Sequence, residues 1–222
     1  CAKMLLVIEN ILTKAEVSAL REVAAGLQFG DGKATAGRFA REVKANDQAL
    51  PCPELDAVLA KVEQALAASP LFRSAARPKA LTKLILSRYR VGQTYGLHVD
   101  DAVMGGIRTD LSFTLFLAEP DSYDGGALVI EDMFEARAVK LESGEVILYP
   151  SSTLHRVEPV SRGERLAIVG WVQSVIRDPG QREVLFDLDQ AVEACFAAEG
   201  KSAQFDRLAK TRANLLRMWA EP

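Results

Sequence analysis

The sequence predicts a mainly β domain, a sandwich or a barrel, flanked by helices. Two observations lead there. Between residues 80 and 177 the chain breaks into short β-rich runs, ALTKLILSRYRV, LSFTLFLA, ALVIED, ARAVKL, EVILYP, LHRVEPV and RLAIVGWVQSVI, punctuated by GG, SG and SRGE. Strand and turn signals this closely spaced belong to sandwiches and barrels. No helical pattern of about ten residues separates the runs, which argues against strands and helices alternating around a parallel sheet. With 49% hydrophobic and 26% charged residues in 222, the chain has a globular balance and enough apolar surface for a proper core.

The elements follow in chain order. CAKMLLVIEN is apolar but short and is closed by an acidic residue, so it reads as a first strand and not as a signal peptide. Thr13-Lys14-Ala15-Glu16 has capping-box form. Val17, Leu20, Ala24 and Leu27 follow at helical spacing, which predicts a helix over 14–27. FGDGKATAGRFAREVKANDQAL is polar and glycine-rich and reads as loop. Pro53 opens a second helix with Leu55, Val58, Leu59, Val62 and Leu66 on one face, ending near Ser69-Pro70.

After the β core, Asp178-Pro179 returns the chain to helix. Val184, Leu185, Leu188, Val192 and Cys195 form one stripe, Gly200 marks a stop, and Phe205, Leu208, Leu216 and Trp219 mark a second helix. The expected organisation is therefore 1–79, an N-terminal strand and helices packed on the β core; 80–177, the core itself; and 178–222, a C-terminal helical extension. The apolar stripes of that extension must be buried. The β core is the default partner, and a neighbouring subunit, hence a homo-oligomer, is the alternative.

Composition narrows the function classes. A net charge of −3 gives no electrostatic reason to expect nucleic acid. No apolar run reaches the roughly 18 residues of a membrane span. The three cysteines, Cys1, Cys52 and Cys195, are far apart, which disfavours a disulfide framework or a thiolate metal site and suits a reducing cytoplasm.

The chemistry-bearing residues are few. There are only two histidines. His98 stands in YGLHVDDA, two residues before Asp100, and His155 in STLHRVEPV. On an extended chain, residues two apart point to the same side, so an imidazole and a carboxylate aim into one space. If the strand begun by His155 lies in the same barrel, all three side chains converge. Two histidines and a carboxylate on one face of a metal form the facial triad of non-haem Fe(II) oxygenases, which leaves coordination positions open. An H-x-D alone is weak, and taken alone His98 is more often an ordinary packed or surface histidine; the joint pattern with Arg165 changes that balance.

Arg165 opens the otherwise apolar run RLAIVGW, across a turn from His155. A cation entering such a strand needs an anionic partner, and guanidinium suits a carboxylate. That partner is either the far carboxylate of 2-oxoglutarate or a structural carboxylate, Glu142, Glu145 or Glu158.

RYRVGQTYGLHVDDA followed by YPSSTLHRVEPVSRGERLAIVGWVQS resembles the Fe(II)- and 2-oxoglutarate-dependent dioxygenases of the prolyl hydroxylase type, and among them the bacterial PKHD-type hydroxylases. DGKATAGRFAREVKANDQAL and YDGGALVIED carry the same likeness, which spans nearly the whole chain. The resemblance implies a double-stranded β-helix, a jelly-roll of the kind seen in cupins. It implies Fe(2+) held by His98, Asp100 and His155, with 2-oxoglutarate gripped by Arg165 and contacted by Tyr89. It further implies O2 as cosubstrate, a use for L-ascorbate, and hydroxylation of a C–H bond with release of succinate and CO2. The substrate it implies is a peptide side chain or a siderophore-related small molecule.

One departure stands out. The second cosubstrate tyrosine of prolyl hydroxylases is missing from LSFTLFLA, where Ser112 or Thr114 is the available hydroxyl. Arg108, in the glycine-bearing segment DDAVMGGIRTD, and Arg38, with Arg41, in the N-terminal loop are candidates for the substrate rim. Trp171 and Phe113 are expected in the core. A zinc-dependent hydrolase and a non-catalytic cupin-like sensor are the competing readings.

Overall fold

The computed structural model describes residues 4–131 and 135–221. Cys1 and the first residues of the expected opening strand lie outside them, as does Asp132 of ALVIED. In chain order the elements are β1 (Leu6–Ile8), α1 (Lys14–Gly26), β2 (Phe29–Asp31), β3 (Lys44–Ala45), β4 (Asp47–Ala49), α2 (Pro53–Ala68) and α3 (Pro70–Ala76). The barrel strands follow: β5 (Pro78–Leu81), β6 (Ile85–Tyr89), β7 (Thr94–His98), β8 (Val103–Met104), β9 (Ile107–Arg108), β10 (Leu111–Phe116), β11 (Asp124–Gly125) and β12 (Leu128–Glu131). Then come β13 (Ala136–Val139), β14 (Val146–Pro150), β15 (His155–Val157), β16 (Val160–Arg162), β17 (Arg165–Ser174), α4 (Pro179–Glu199) and α5 (Ala203–Trp219).

The strands form the two walls of a jelly-roll. The major sheet runs β1-β14-β10-β17-β6-β4-β2, with β5 also paired to β17, and the minor sheet runs β13-β12-β15-β7-β3. Every pairing within them is antiparallel. This is the mostly β double-stranded β-helix with added helices.

Side-chain alternation along the major sheet sets up two cores. Leu111, Phe113 and Leu115 of β10, Val146 and Leu148 of β14, and Leu166, Ile168 and Val172 of β17 face outward and pack under α1, α2 and α3. Phe113 belongs to this core as expected, meeting Phe72 of α3 edge-on with ring centroids 5.9 Å apart. The intervening positions, Phe116, Ile147 and Tyr149, turn into the barrel, where Tyr89, Leu128 and Val157 join them. Burying a side chain of this size contributes about 1.5–3 kcal/mol.

Helix α1 begins at the expected capping box, both halves of which form. α2 has Pro53 at its first turn, and a separate helix, α3, continues after the Ser69-Pro70 break. Ser69 caps α3 through its side chain, which is why the chain restarts where an end was expected. Among the described residues no helix is long and apolar enough to cross a membrane.

Residues 29–50 depart from expectation. They were read as loop, yet they form β2 and β4, which extend the major sheet, and β3, which pairs with β7 of the minor sheet. The segment therefore bridges the two walls at the barrel mouth. The buried residues across its strands β3 and β4, Lys44, Asn46 and Gln48, are polar, so the apolar alternation that betrays a strand is absent.

The C-terminal extension is a helical hairpin. Buried Asp189 of α4 accepts hydrogen bonds from Ser74, from Arg77 at 2.6 Å and from Arg212 of α5. This polar latch ties the hairpin to α3 and the strand entry. Val184, assigned to the buried stripe, is 49% exposed.

Candidate metal centre and cosubstrate pocket

β7 and β15 are neighbours, and His98 lies directly opposite His155 in their register. That pairing brings together two residues 57 positions apart in sequence. The ring centroids are 4.3 Å apart. Asp100, just past the end of β7, approaches both: Oδ1 is 3.9 Å from His98 Nε2 and Oδ2 is 3.7 Å from His155 Nε2. The three donors lie within 4.8 Å of one another, a spread that one ion with bonds of about 2 Å can bridge.

Hydrogen bonds fix how these groups present themselves. His98 Nδ1 is 2.8 Å from the Gly96 carbonyl and His155 Nδ1 is 2.9 Å from the Thr153 carbonyl. A carbonyl only accepts, so Nδ1 carries the proton on both rings and each Nε2 offers a lone pair toward Asp100. Burial, followed by the neighbouring His155, lowers the His98 pKa to about 4. Ser112 Oγ donates to Asp100 Oδ2 at 2.6 Å and is itself bonded to Ser151 Oγ at 2.9 Å. The donor set, two imidazoles with Nε2 facing one oriented carboxylate, fits ferrous iron.

Arg165 opens β17 opposite Tyr89 of β6. It is 1% exposed, and its guanidinium lies 5.3 Å from the Tyr89 ring and 5.3 Å from the Phe116 ring. It forms no ion pair among the described residues, and its buried Nε has no hydrogen-bond partner. None of Glu142, Glu145 and Glu158 pairs with it. A buried cation without a counterion is costly, and the cavity it lines is where one can enter.

One glycine of YDGGALVIED, Gly126, makes room for this arginine. Gly126 has φ +61°, and a Cβ there would lie 2.9 Å from Val160, 3.1 Å from the Tyr123 ring and 3.3 Å from Arg165 Cδ. The missing side chain is what lets the strand close over the arginine stem.

Tyr89 is buried beside Arg165, and burial raises its pKa above the usual phenol value. A second buried tyrosine, absent from β10, stands on the neighbouring strand and lines the same cavity. Tyr149 of β14 pairs with Ser112 in register and stands edge-on to His155 at 5.2 Å. Burial, then the charge of Asp100, pushes its pKa well up, so its hydroxyl stays protonated. Ser112 spends its own proton on Asp100, while Thr114 lines the cavity beside Tyr149. EVILYP held the signal: Tyr149 follows Ile147 at the inward period of a buried strand.

The remaining candidates lie elsewhere. Arg108 is bound to Asp110 at 2.8 Å, to the Ser174 carbonyl at 3.1 Å and to Glu221 at 3.1 Å. Arg38 is exposed against Phe39, and Arg41 reaches the Ala36 carbonyl. None of these three arginines lines the cavity. Trp171, expected in the core, does line it, because odd-numbered positions of β17 face inward like Arg165.

Comparison with known proteins agrees with this geometry. Residues 84–173 match the 2OG-Fe(II) oxygenase superfamily, and residues 179–221 match the PKHD-type hydroxylase C-terminal domain. A PKHD-type hydroxylase of Maricaulis maris is 50% identical over 218 residues, covering 98% of this chain and 100% of that one. One from Synechococcus elongatus is 50% identical over 223 residues, again covering 98% and 100%. Among solved structures, a Pseudomonas putida prolyl-4-hydroxylase superposes with a TM-score of 0.57 at 20% identity, covering 78% of this chain and 94% of its own.

Proposed function

The chain belongs to the PKHD-type hydroxylases of the 2OG-Fe(II) oxygenase superfamily, and from that premise we propose that it hydroxylates a C–H bond of its substrate while 2-oxoglutarate is converted to succinate and CO2. As a member it is an Fe(II)- and 2-oxoglutarate-dependent dioxygenase with O2 as the other cosubstrate. In this reading His98, Asp100 and His155 hold the iron, and Arg165 holds the far carboxylate of 2-oxoglutarate. The observation that carries it is the convergence of two buried imidazoles on one part-buried carboxylate, with the two Nε2 atoms 3.9 and 3.7 Å from its oxygens.

Bound iron supplies the oxidising chemistry; the chain supplies position, charge and dryness. The two backbone carbonyls keep the imidazoles in the ligating tautomer. Ser112 keeps the Asp100 carboxylate turned toward the histidines. Arg165 answers the distal charge of the cosubstrate, and protonated Tyr89 and Tyr149 offer hydrogen-bond donors along the way. Phe116, Leu128 and Val157 close the surrounding wall and exclude water. The likeness to the Pseudomonas putida prolyl-4-hydroxylase supports a peptide or protein side chain as substrate, with a siderophore-related small molecule as the other class.

The test is an aerobic assay with Fe(II), L-ascorbate and 2-oxoglutarate, following succinate across peptide and metabolite panels. His155→Ala should abolish succinate formation and lower ferrous affinity by more than about 100-fold, beyond the range seen for outer-shell partners. Unchanged turnover in this variant refutes the assignment. Activity with zinc in the absence of O2 points to a hydrolase instead.

A further inference from the structure

One strip of the cavity wall has no part in the assignment above. Lys44, Asn46 and Gln48 turn inward at every second position from β3 and β4 and line the cavity. They are 6%, 3% and 7% exposed. Two of them have partners for one amide atom each: Asn46 Nδ2 donates to Ser87 Oγ at 2.7 Å, leaving its buried Oδ1 without a partner, and Gln48 Oε1 accepts from Thr35 Oγ1 at 2.9 Å.

Lys44 is different. Its ammonium donates to Thr35 Oγ1 at 3.1 Å and lies 4.8 Å from the centroid of the Tyr95 ring. That ring in turn stacks on His98 at 3.6 Å. The ammonium is thus held one ring away from the metal ligands, with one N–H committed to Thr35. It forms no ion pair among the described residues, and the negative charges acting on it are Asp100 and Asp31. Burial is the stronger influence and lowers its pKa to about 8, which still leaves the ammonium mostly protonated at neutral pH.

Loading the centre changes this balance. Asp100 and the two carboxylates of 2-oxoglutarate together offset the charges of Fe(2+) and Arg165. Asp31 and Asp101, the remaining carboxylates nearby, are exposed and screened by solvent, so Lys44 is left a buried cation without a buried counterion, which favours an incoming anion.

We propose that Lys44 is the specificity-determining residue of the substrate pocket, and that the substrate carries a carboxylate which Lys44 binds beside the metal centre. This rests on reading the triad as that centre. The carboxylate belongs either to a small amino-acid-like molecule or to an acidic side chain of a peptide.

Calorimetry on anaerobic enzyme loaded with Fe(II) and 2-oxoglutarate tests it with matched probes. One arm uses N-acetyl amino acids against their C-terminal amides, the other hexapeptides with a central Glu against the same peptides with Gln. In one arm the acid should bind at least about 10-fold more tightly than its neutral partner. That preference should fall below about 2-fold in Lys44→Met and be partly kept in Lys44→Arg. Should Lys44→Met not fold, Thr35→Val, which frees the ammonium, should weaken the same preference. Wild-type enzyme that binds 2-oxoglutarate but prefers no acid in either arm overturns the proposal, as does a preference that survives Lys44→Met. Wild-type enzyme that fails to bind 2-oxoglutarate defeats the metal-centre reading instead.

Discussion

The cavity has two walls built on opposite logic. The deep wall, from β6, β10, β14 and β17, is apolar strand interrupted by single polar residues: Tyr89, Ser112, Thr114, Tyr149 and Arg165. The mouth wall, residues 32–49, turns the polar side chains of Lys44, Asn46 and Gln48 inward beside the small Ala36 and Ala40, and exposes Val43 and Ala45. Both walls have the strand period of two. On the deep wall each buried polar group stands out against its neighbours and so announces a ligand. On the mouth wall Gln48 pairs with Thr35, Asn46 reaches across to Ser87 of β6 while its Oδ1 has no partner, and Lys44 carries a charge with no ion pair among the described residues. The deep wall suits a fixed cosubstrate, whereas the mouth wall is the part of the site free to differ with substrate.

The strongest way to break this division is Arg165→Met. Removing one side of a buried, hydrogen-bonded charge pair costs about 2–5 kcal/mol. Affinity for 2-oxoglutarate, measured by calorimetry on the metal-loaded protein, should therefore fall by roughly 100-fold. Ferrous affinity should change little, because Arg165 touches none of the three donors. If 2-oxoglutarate binds Arg165→Met as tightly as wild type, the deep wall does not hold its far carboxylate.

Gly32→Ala probes the other wall. A Cβ at Gly32 would lie 2.0 Å from Asn46 Oδ1 and 3.0 Å from the Asn46 carbonyl oxygen. Asn46 cannot retreat without loosening its 2.7 Å bond to Ser87 on β6. Overpacking of this kind costs about 1–3 kcal/mol, and for a chain of this size about 2 kcal/mol lowers Tm by roughly 4–8 °C. Cosubstrate affinity should stay within about 2-fold of wild type if the walls are separate units. A fall in 2-oxoglutarate binding that tracks the loss of stability would show them to be one.

The same contrast explains what could be read in advance. His98, Asp100 and His155 were legible because histidine is scarce here and the H-x-D spacing has a strand geometry behind it. Arg165 was legible as a charge in an apolar run. The helices were legible through Thr13, Pro53 and Asp178-Pro179, each a local signal with a local cause. Lys44 was not legible, since KANDQ shows no apolar alternation and the usual test for a strand looks for exactly the residues that are missing. Neither Arg38 nor Arg108 lines the cavity, and for Arg108 the surroundings were hidden for a related reason. Sequence shows that an arginine lies near a glycine turn, but not that Asp110, Ser174 and Glu221 converge on it from distant segments. Tyr149 required knowing that β14 lies beside β10, a pairing that only topology supplies.

The smallest effect, and the sharpest, belongs to Ser112→Ala, at the seam between the cosubstrate pocket and the metal ligands. Ser112 keeps Asp100 Oδ2 hydrogen-bonded at 2.6 Å, so the carboxylate is oriented before any ion arrives. Losing that bond leaves the three donors in place but frees the carboxylate to rotate. Outer-shell losses of this kind cost about 10–100-fold in metal affinity. Ser151 Oγ, 2.9 Å from Ser112 Oγ, can turn to take over part of the role, which places the expected loss near the low end, about 10-fold or roughly 1.4 kcal/mol. Competition with a chelator would read this directly. The accompanying 2-oxoglutarate affinity, measured at saturating metal, should move by less than about 3-fold, because excess metal restores the oriented carboxylate by mass action. Equal losses in both measurements would mean that Ser112 serves the cosubstrate itself, and the line between metal ligation and cosubstrate binding would have to be redrawn through β10.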